Sequence, residues 1–162
     1  MNSESSIPTP YVYDAAVKDE WLDENGHMNV AYYMTALDDG SEVLFADPGI
    51  GWEYTRKKVG TVFVVSNKVD YLRELHAGQA FRVTSRLLDF NQKMLHVYFE
   101  ILNAHENLCA RAEVLYIHVS FSTRKSSAMP EAVMQRLKTI HEAHNKLPVP
   151  AGLGSGIGIQ RA

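Results

Sequence analysis

The stretch WLDENGHMNVAYY, residues 21–33, decides the fold because it marks the change from a polar loop to a long helix. From Val30 to Phe45 apolar side chains recur at helical spacing, which predicts a helix over these residues. Asn29 is suited to cap that helix, since its side-chain oxygen can accept a hydrogen bond from an amide of the first turn. The residues Asp-Pro-Gly at 47–49 end it. Gly40 in mid-helix costs about 1 kcal/mol relative to alanine, so we expect a neighbouring element to pack closely there.

Strand-like alternation flanks this helix on both sides. One run precedes the helix and four follow it: Tyr11–Val17, Thr61–Leu72, Phe81–Leu87, Leu95–Ile101 and Leu108–Phe121. Consecutive strands joined by short polar turns predict an antiparallel meander. The last run changes its apolar face near Val114, which predicts a bulge there. Residues 50–60 have no clear period and are predicted to be irregular.

A second helix is predicted near the C-terminus, beginning at Pro130, because proline is favoured at the first helical position. Its apolar face carries Val133, Leu137, Ile140 and His144. Together these elements predict an α+β domain: an antiparallel sheet of five to six strands buries one face against one long central helix, with a C-terminal helix added.

Length and composition restrict the class of protein. The chain has 162 residues, for which we expect a flexible arm over residues 1–10, a single domain over 11–147 and a Gly/Pro-rich tail over 148–162. A net charge of −3 argues against a dedicated nucleic-acid surface. One cysteine, Cys109, excludes an intramolecular disulfide and suits a reducing cytoplasm. No apolar run approaches the ~18 residues of a membrane span. We therefore expect a soluble cytoplasmic protein.

The loop before the long helix also carries a motif. Asp23, Gly26, His27, Asn29 and Tyr33 follow the spacing D-x-x-G-H-x-N-x-x-x-Y. This pattern resembles the signature of hotdog-fold acyl-CoA thioesterases of the 4-hydroxybenzoyl-CoA thioesterase type. The resemblance implies a hotdog fold, thioester hydrolysis without a metal or another cofactor, and a homodimer that joins two sheets edge to edge and builds its site between subunits. A homotetramer is also compatible with it.

Thioester hydrolysis explains why these residue types stand together. A carboxylate such as Asp23 can activate water or attack the thioester directly. The amides near Asn29 and Val30, at the electropositive start of the helix, can stabilise the oxyanion that develops on the carbonyl. Gly26 lets the loop turn tightly and the substrate approach the backbone. We expect His27 to steady the loop or to bond the acyl group.

A finer resemblance concerns the acyl group. The segments 20–30, 70–78 and 147–152 are similar to thioesterases associated with carnitine dehydrogenase, which act on betainyl-CoA. Such a substrate requires an aromatic box for its quaternary ammonium group. The candidate rings are Trp52, Tyr54, Tyr32, Tyr33 and Trp21.

Four further residues are candidates for contacts with the substrate. Asn67 interrupts an apolar strand face, so it either bonds a buried polar group or lines the pocket. Lys93, Arg124 and Lys125 lie near predicted turns or strand ends, where charge-assisted hydrogen bonds could hold the CoA phosphates.

Two other functions are compatible with the same sequence. A hydratase or dehydratase acting on an enoyl thioester would need a paired acid and base, and Trp21 stands where many relatives have a second acidic residue. A module that binds an acyl thioester without turnover would leave Asp23 without a task. Release of free CoA thiol distinguishes hydrolysis from both.

Overall fold

The computed structural model describes residues 6–153 and 156–161, and the order of elements follows the predicted one. A single turn of 3-10 helix, Asp19–Trp21, precedes the motif loop. The remaining elements are β1 (Tyr11–Ala16), α1 (Val30–Ala46), α2 (Trp52–Arg56), β2 (Gly60–Tyr71), β3 (Ala80–Phe90), β4 (Met94–Asn103), β5 (Leu108–Ser120) and α3 (Glu131–His144).

The five strands form one antiparallel sheet in the order β1-β3-β4-β5-β2. The meander predicted for three consecutive strands is β3-β4-β5, and β2 pairs with β5 at the far edge. Helix α1 packs on one face of the sheet, which makes the molecule an α+β hotdog fold, as predicted. The two edge strands are β1 and β2.

The buried stripe of α1 explains its position. Ala36, Leu37 and Leu44 are at most 1% exposed and belong to the main core cluster. Gly40 lies in the same stripe, and a Cβ placed there would come within 2.6 Å of a Val83 side-chain carbon on β3. The close packing predicted at this glycine is therefore confirmed.

Two local predictions were wrong. Residues 52–56 form the short helix α2 rather than irregular chain. The bulge near Val114 lies in β2, because Val64 pairs with Tyr116 while Ser66 pairs with Leu115, leaving Val65 as the extra residue. The irregularity of β5 itself lies at Cys109, since Leu108 and Ala110 pair with Leu102 and Ile101 of β4. The change of apolar face seen along β5 thus reflects an insertion in the strand that pairs with it.

Helix α3 closes one end of the sheet. The four apolar-face residues predicted for it are buried, and the helix begins one residue after Pro130. His144 accepts a hydrogen bond at Nδ1 from the amide of Leu87 (2.9 Å), and its Nε2 lies 2.9 Å from the carbonyl oxygen of Pro8. This histidine is therefore a buried structural group, and burial lowers its pKa.

The chain ends lie against the sheet where they are described. Ile7 packs against the core, whereas residues 1–5 of the expected flexible arm lie outside the described residues. In the expected tail, Arg86 donates to the carbonyl oxygens of Leu147 and Pro148, and Arg161 pairs with Asp89 at 2.7 Å. Gly154, Ser155 and Ala162 lie outside the described residues. Across residues 6–153 and 156–161, no helix is long and apolar enough to cross a membrane.

Candidate active site

The loop that carries Asp23 is closed by its own backbone. The amide of Asp23 donates to the carbonyl of His27 (3.1 Å), and the amide of Gly26 donates to the carbonyl of Asp23 (3.0 Å). Gly26 has φ +79°, a left-handed conformation that glycine adopts without strain. The Asp23 carboxylate accepts the amide of Asn25 at 2.8 Å through one oxygen, Oδ1, which leaves Oδ2 available.

Two further hydrogen bonds tie the loop to the body of the protein. The amide of Met28 donates to the carbonyl of Leu75 (2.7 Å), and the amide of Asn29 donates to the carbonyl of Trp21 (2.8 Å). The Met28 side chain is 1% exposed, so it anchors the loop in the core. The position of Asp23 is therefore set by contacts on both sides of the loop.

The start of α1 leaves one amide unused. Asn29 caps the helix as predicted, its Oδ1 accepting the amide of Ala31 at 2.9 Å, and its carbonyl accepts the amide of Tyr32 at 3.0 Å. The Asn29 amide is itself engaged by Trp21. The amide of Val30 has no acceptor among the described residues. This N–H lies where the helix dipole favours negative charge.

Asp23 and Val30 line the same cleft, which has a volume of about 360 Å³. Its remaining walls come from the motif loop, from α1 and from the end of β2: His27, Met28, Tyr33, Tyr71, Leu72, Arg73 and Glu74. The residues that line the cleft thus include Asp23, which has a carboxylate, and Val30, whose amide is unpaired, beside a largely apolar wall. A thioester carbonyl docked there would meet the two groups that hydrolysis requires.

Tyr33 forms the floor of the cleft. Its hydroxyl donates to the carbonyl of Arg73 (3.3 Å), and its ring packs edge-to-face on Tyr71 with 5.1 Å between centroids. Burial raises the pKa of Tyr33 to about 12, so its hydroxyl stays protonated and serves as a donor rather than as a base. Tyr33 therefore holds the end of β2 against α1.

His27 lies at the rim of the cleft. Its Nε2 lies 3.9 Å from the Glu74 carboxylate, and its Nδ1 lies 3.4 Å from the carbonyl of Met28. Glu74 also lies 3.6 Å from His76. These contacts suit the predicted steadying role for His27.

The structure does not bring the other proposed substrate residues into this cleft. Tyr54 donates through its hydroxyl to His118 Nε2 (3.0 Å), because His118 Nδ1 lies 2.9 Å from the carbonyl of Ser127. Asn67 is exposed on β2, so neither of its two predicted roles is seen within one chain. Trp52 lines a separate cavity. Of the five aromatic-box candidates, only Tyr33 lines the cleft beside Asp23.

The remaining two aromatic candidates, Trp21 and Tyr32, stack on each other. Their ring centroids are 5.3 Å apart and the ring planes differ by 11°. Trp21 is 7% exposed, so its ring packs in the core beneath the loop. Trp21 therefore supports the loop.

The three basic residues proposed for CoA gather at one place, which lies far from the cleft. Lys93 and Lys125 are brought together because their carbonyls accept the amides of His118 and Ser120. Arg124 lies 5.7 Å above the ring of Phe63. Phe63 lies eight residues before Tyr71, which lines the cleft, so at about 3.3 Å per residue this end of the sheet is roughly 26 Å from the cleft. One chain therefore does not place these cations beside its own cleft.

Sequence reasoning missed the residues at the end of β2 that line the cleft. Tyr71, Arg73 and Glu74 lie at or just after the end of β2, within the segment 70–78 that is similar to carnitine-associated thioesterases, but the sequence indicated no role for them. Their place depends on the long-range bond between Met28 and Leu75, for which no local pattern exists. The signal that could have found them was the similarity of the segment 70–78.

Comparison with known proteins gives a consistent result. A family model described as the thioesterase-like superfamily matches residues 17–137. A Rhizobium L-carnitine dehydrogenase/betainyl-CoA thioesterase is 33% identical over 93% of this chain, which spans only 30% of that relative's length. A Pseudomonas aeruginosa betainyl-CoA thioesterase is 29% identical over 91% of this chain and 93% of its own.

A solved structure matches the fold over nearly the whole chain. A hypothetical protein of Staphylococcus aureus, determined in complex with CoA, superposes with a TM-score of 0.84 and 25% identity, covering 98% of this chain and 100% of the other. The similarity extends well beyond the motif loop and includes the sheet and both long helices.

Proposed function

The chain belongs to the thioesterase-like superfamily, and from this premise we propose that it hydrolyses an acyl-CoA thioester held between Asp23 and the amide of Val30. The observation that carries the proposal is their shared cleft: a carboxylate with an oxygen to spare faces the same space as an amide without an acceptor. Neither Oδ2 of Asp23 nor the amide of Val30 forms another hydrogen bond among the described residues.

The reaction follows from this arrangement. The carbonyl oxygen accepts the Val30 N–H, which stabilises the negative charge that develops on that oxygen. Asp23 removes a proton from a water molecule as the water oxygen attacks the carbonyl carbon, or attacks that carbon itself. Collapse of the tetrahedral intermediate breaks the carbon–sulfur bond and releases the CoA thiolate; in the second route it leaves an anhydride with Asp23, which water then hydrolyses. The CoA thiolate takes up a proton, and the products are a carboxylic acid and CoA.

We propose betainyl-CoA as the substrate. Two relatives that match more than nine-tenths of this chain carry that activity in their names. The cleft beside Asp23 is small, which suits a short acyl group rather than a long fatty chain.

Since the chain has one cysteine and it is unpaired, we also infer a cytoplasmic location.

We further propose a homodimer formed through the free edge of β2. Exposed apolar side chains follow this edge: Phe63, Val64 and Val65, then Tyr71 and Leu72. An unpaired apolar edge strand favours pairing with another strand. An antiparallel pair of β2 strands would lay the start of the partner's β2 beside the end of this one. The partner's Arg124 and the partner's Lys125 would then approach the cleft from which their own copies are distant.

The test is release of CoA thiol from a panel of acyl-CoAs that includes betainyl-CoA. We expect hydrolysis, and we expect Asp23→Asn to lower kcat by about 10² or more while the melting temperature is kept. Glu24→Gln, which neutralises the neighbouring exposed carboxylate, is the matched control and should keep its rate within about threefold. Full activity in Asp23→Asn, or no thiol release from any thioester, contradicts the proposal.

A further inference from the structure

A second cavity lies beside α1, away from the Asp23 cleft of the same chain. It measures about 220 Å³ and is enclosed by α1, the segment 50–55 and the start of β2. Carboxylates and aromatic rings make up much of its wall: Asp38, Glu42, Phe45, Trp52, Phe63 and Tyr116. This combination of negative charge and aromatic rings suits an organic cation.

The two carboxylates of this cavity are not equivalent. Glu42 accepts the amide of Trp52 at 2.7 Å, so it holds Trp52 in place. The positive charge of Arg56 favours the ionised form of Glu42. The Asp38 side chain forms no hydrogen bond or ion pair within the described ranges, while its neighbour Asp39 accepts from Tyr13. Like charges at i and i+4 on a helix destabilise it. A cation bound between Asp38 and Glu42 would remove this repulsion.

The Trp52 ring of the cavity is open. It is 45% exposed, whereas the Phe63 ring already has Arg124 at 5.7 Å from its centroid. Tryptophan is the strongest aromatic partner for a cation, and a quaternary ammonium group, which cannot donate hydrogen bonds, is recognised mainly by such faces. The open ring of Trp52 and the unpaired carboxylate of Asp38 therefore provide complementary contacts to that group.

A substrate bound in the cleft of one chain cannot reach the cavity of the same chain. Asp38 lies eight residues beyond Val30 on α1, a distance of about 12 Å along the helix. The methyl groups of a betainyl moiety lie within about 4 Å of its carbonyl carbon, the reach of three single bonds. A thioester held at Val30 therefore cannot extend its ammonium group to Asp38 of the same subunit.

Pairing of β2 with a second copy removes this separation. The exposed apolar residues of β2 form two groups, Phe63–Val65 at its start and Tyr71–Leu72 at its end. An antiparallel pair that brings the two groups together lays the end of one β2 beside the start of the other. It places Tyr71, which lines the cleft, beside the segment 62–64 of the partner subunit, which lines the cavity. Each cleft then adjoins the other chain's cavity.

We propose that Asp38 and Trp52 of the partner subunit form the subsite that holds the cationic acyl group of a thioester bound at Asp23. This inference rests on the proposed function and assigns specificity to residues outside the catalytic loop. It also explains why Trp52, which the sequence suggested as a ring for the ammonium group, lies outside the cleft of its own chain.

The first experiment compares betainyl-CoA with 3,3-dimethylbutyryl-CoA, a neutral isostere in which carbon replaces the ammonium nitrogen. We expect wild-type protein to prefer the cation. Asp38→Asn and Trp52→Leu should each lower kcat/KM for betainyl-CoA by about tenfold and change that for the isostere by less than threefold. Asp39→Asn removes a similar charge one residue away and should leave the preference intact. Circular dichroism melting verifies that each variant is folded.

The outcomes separate the two claims. If wild-type protein hydrolyses thioesters without preferring the cation, the betainyl-CoA assignment fails and this inference fails with it. If it prefers the cation and the two variants keep that preference, the proposed function stands and the subsite is overturned.

The second experiment tests whether the cavity serves the other chain. Heterodimers with Asp23→Asn in one chain and Trp52→Leu in the other, purified through two different tags, should keep about half of the wild-type rate on betainyl-CoA, because one complete site remains. Heterodimers with both changes in one chain and none in the other should fall to the low rate of the Trp52→Leu site. The reverse pattern would place each cavity with its own cleft and overturn the inference.

Discussion

Val30 matters through its backbone rather than through its side chain. The side chain of Asn29 accepts the amide of Ala31, and its carbonyl accepts the amide of Tyr32. The amide of Val30 is therefore the one left for a substrate. The carboxylate, the cap and the tight glycine turn could all be predicted from residues 21–33, because capping and turn chemistry are local. That the Asn29 amide is already bonded to Trp21 could not be predicted, since this bond depends on how the loop folds back.

Gly40 offers a prediction at the same scale. Its mid-helix position would normally favour alanine by about 1 kcal/mol, but a Cβ there would come within 2.6 Å of a Val83 methyl carbon. We expect Gly40→Ala to lower the free energy of unfolding by about 1–3 kcal/mol through overpacking, measured by urea denaturation. Gly40→Ala combined with Val83→Ala should be more stable than the sum of the two single changes predicts. Strict additivity would show that the contact is unimportant.

At the scale of elements, helix α1 is fixed at both ends by different means. Its start is capped by Asn29, and its end is held to α3 because Asp47 pairs with Arg136 and also accepts the Tyr11 hydroxyl at 2.6 Å. Helices α1 and α3 and all five strands were predictable because their apolar periods are regular, whereas the five-residue helix α2 is too short to show a period. The bulge in β2 was not, because the extra residue shows only as a shift of face in the strand opposite.

The Asp47 contacts predict a specific dependence of stability on pH. Burial alone would raise the pKa of Asp47, but hydrogen bonds from Arg136 and Tyr11 outweigh it and lower the pKa below its ordinary value of 3.8. A depressed pKa stabilises the fold above about pH 4, and this contribution is lost as the pH falls through the folded-state value. We expect Asp47→Asn to cost roughly 1–2 kcal/mol at pH 7, a modest value because Arg136 is one-third exposed.

The measurement is denaturant unfolding of wild-type protein and Asp47→Asn between pH 7 and pH 3. The stability difference should be constant down to about pH 5 and should shrink below about pH 4. A difference that persists unchanged at pH 3 would mean that the charge on Asp47 contributes nothing and that the substitution acts through packing.

At the scale of the whole molecule, the two edges of the sheet differ in what they expose. Strand β2 presents a row of apolar side chains next to the site, whereas β1 exposes Val12 beside charged neighbours such as Asp14, which pairs with Arg82. The thioesterase fold was predictable from one motif and the order of elements. How distant residues such as Trp52 and Arg124 contribute could not be predicted, because under the proposed dimer their contribution comes from a second copy of the chain.

The edge of β2 gives the prediction at this scale. Val65 is 53% exposed and Val12 is 42% exposed, so a lysine at either position has a similar direct effect on the monomer. We expect Val65→Lys to convert the dimer to monomer and to lower activity by at least tenfold, because each cleft loses its partner's contacts. Val12→Lys, on the opposite edge, should remain dimeric and active. Light scattering after size exclusion and CoA release measure the two effects.

The central claim is that Asp23 and one backbone amide act on the same carbonyl, and Val30→Pro tests it most directly. Proline at the first helical position removes the N–H without breaking the helix, and Asn29 already has the extended ψ of 145° that precedes proline. We predict that kcat falls by about 10²–10³ with an unchanged melting temperature, whereas Val30→Ala, which keeps the amide, loses less than about fivefold. A folded Val30→Pro enzyme that turns over as fast as Val30→Ala would contradict the account.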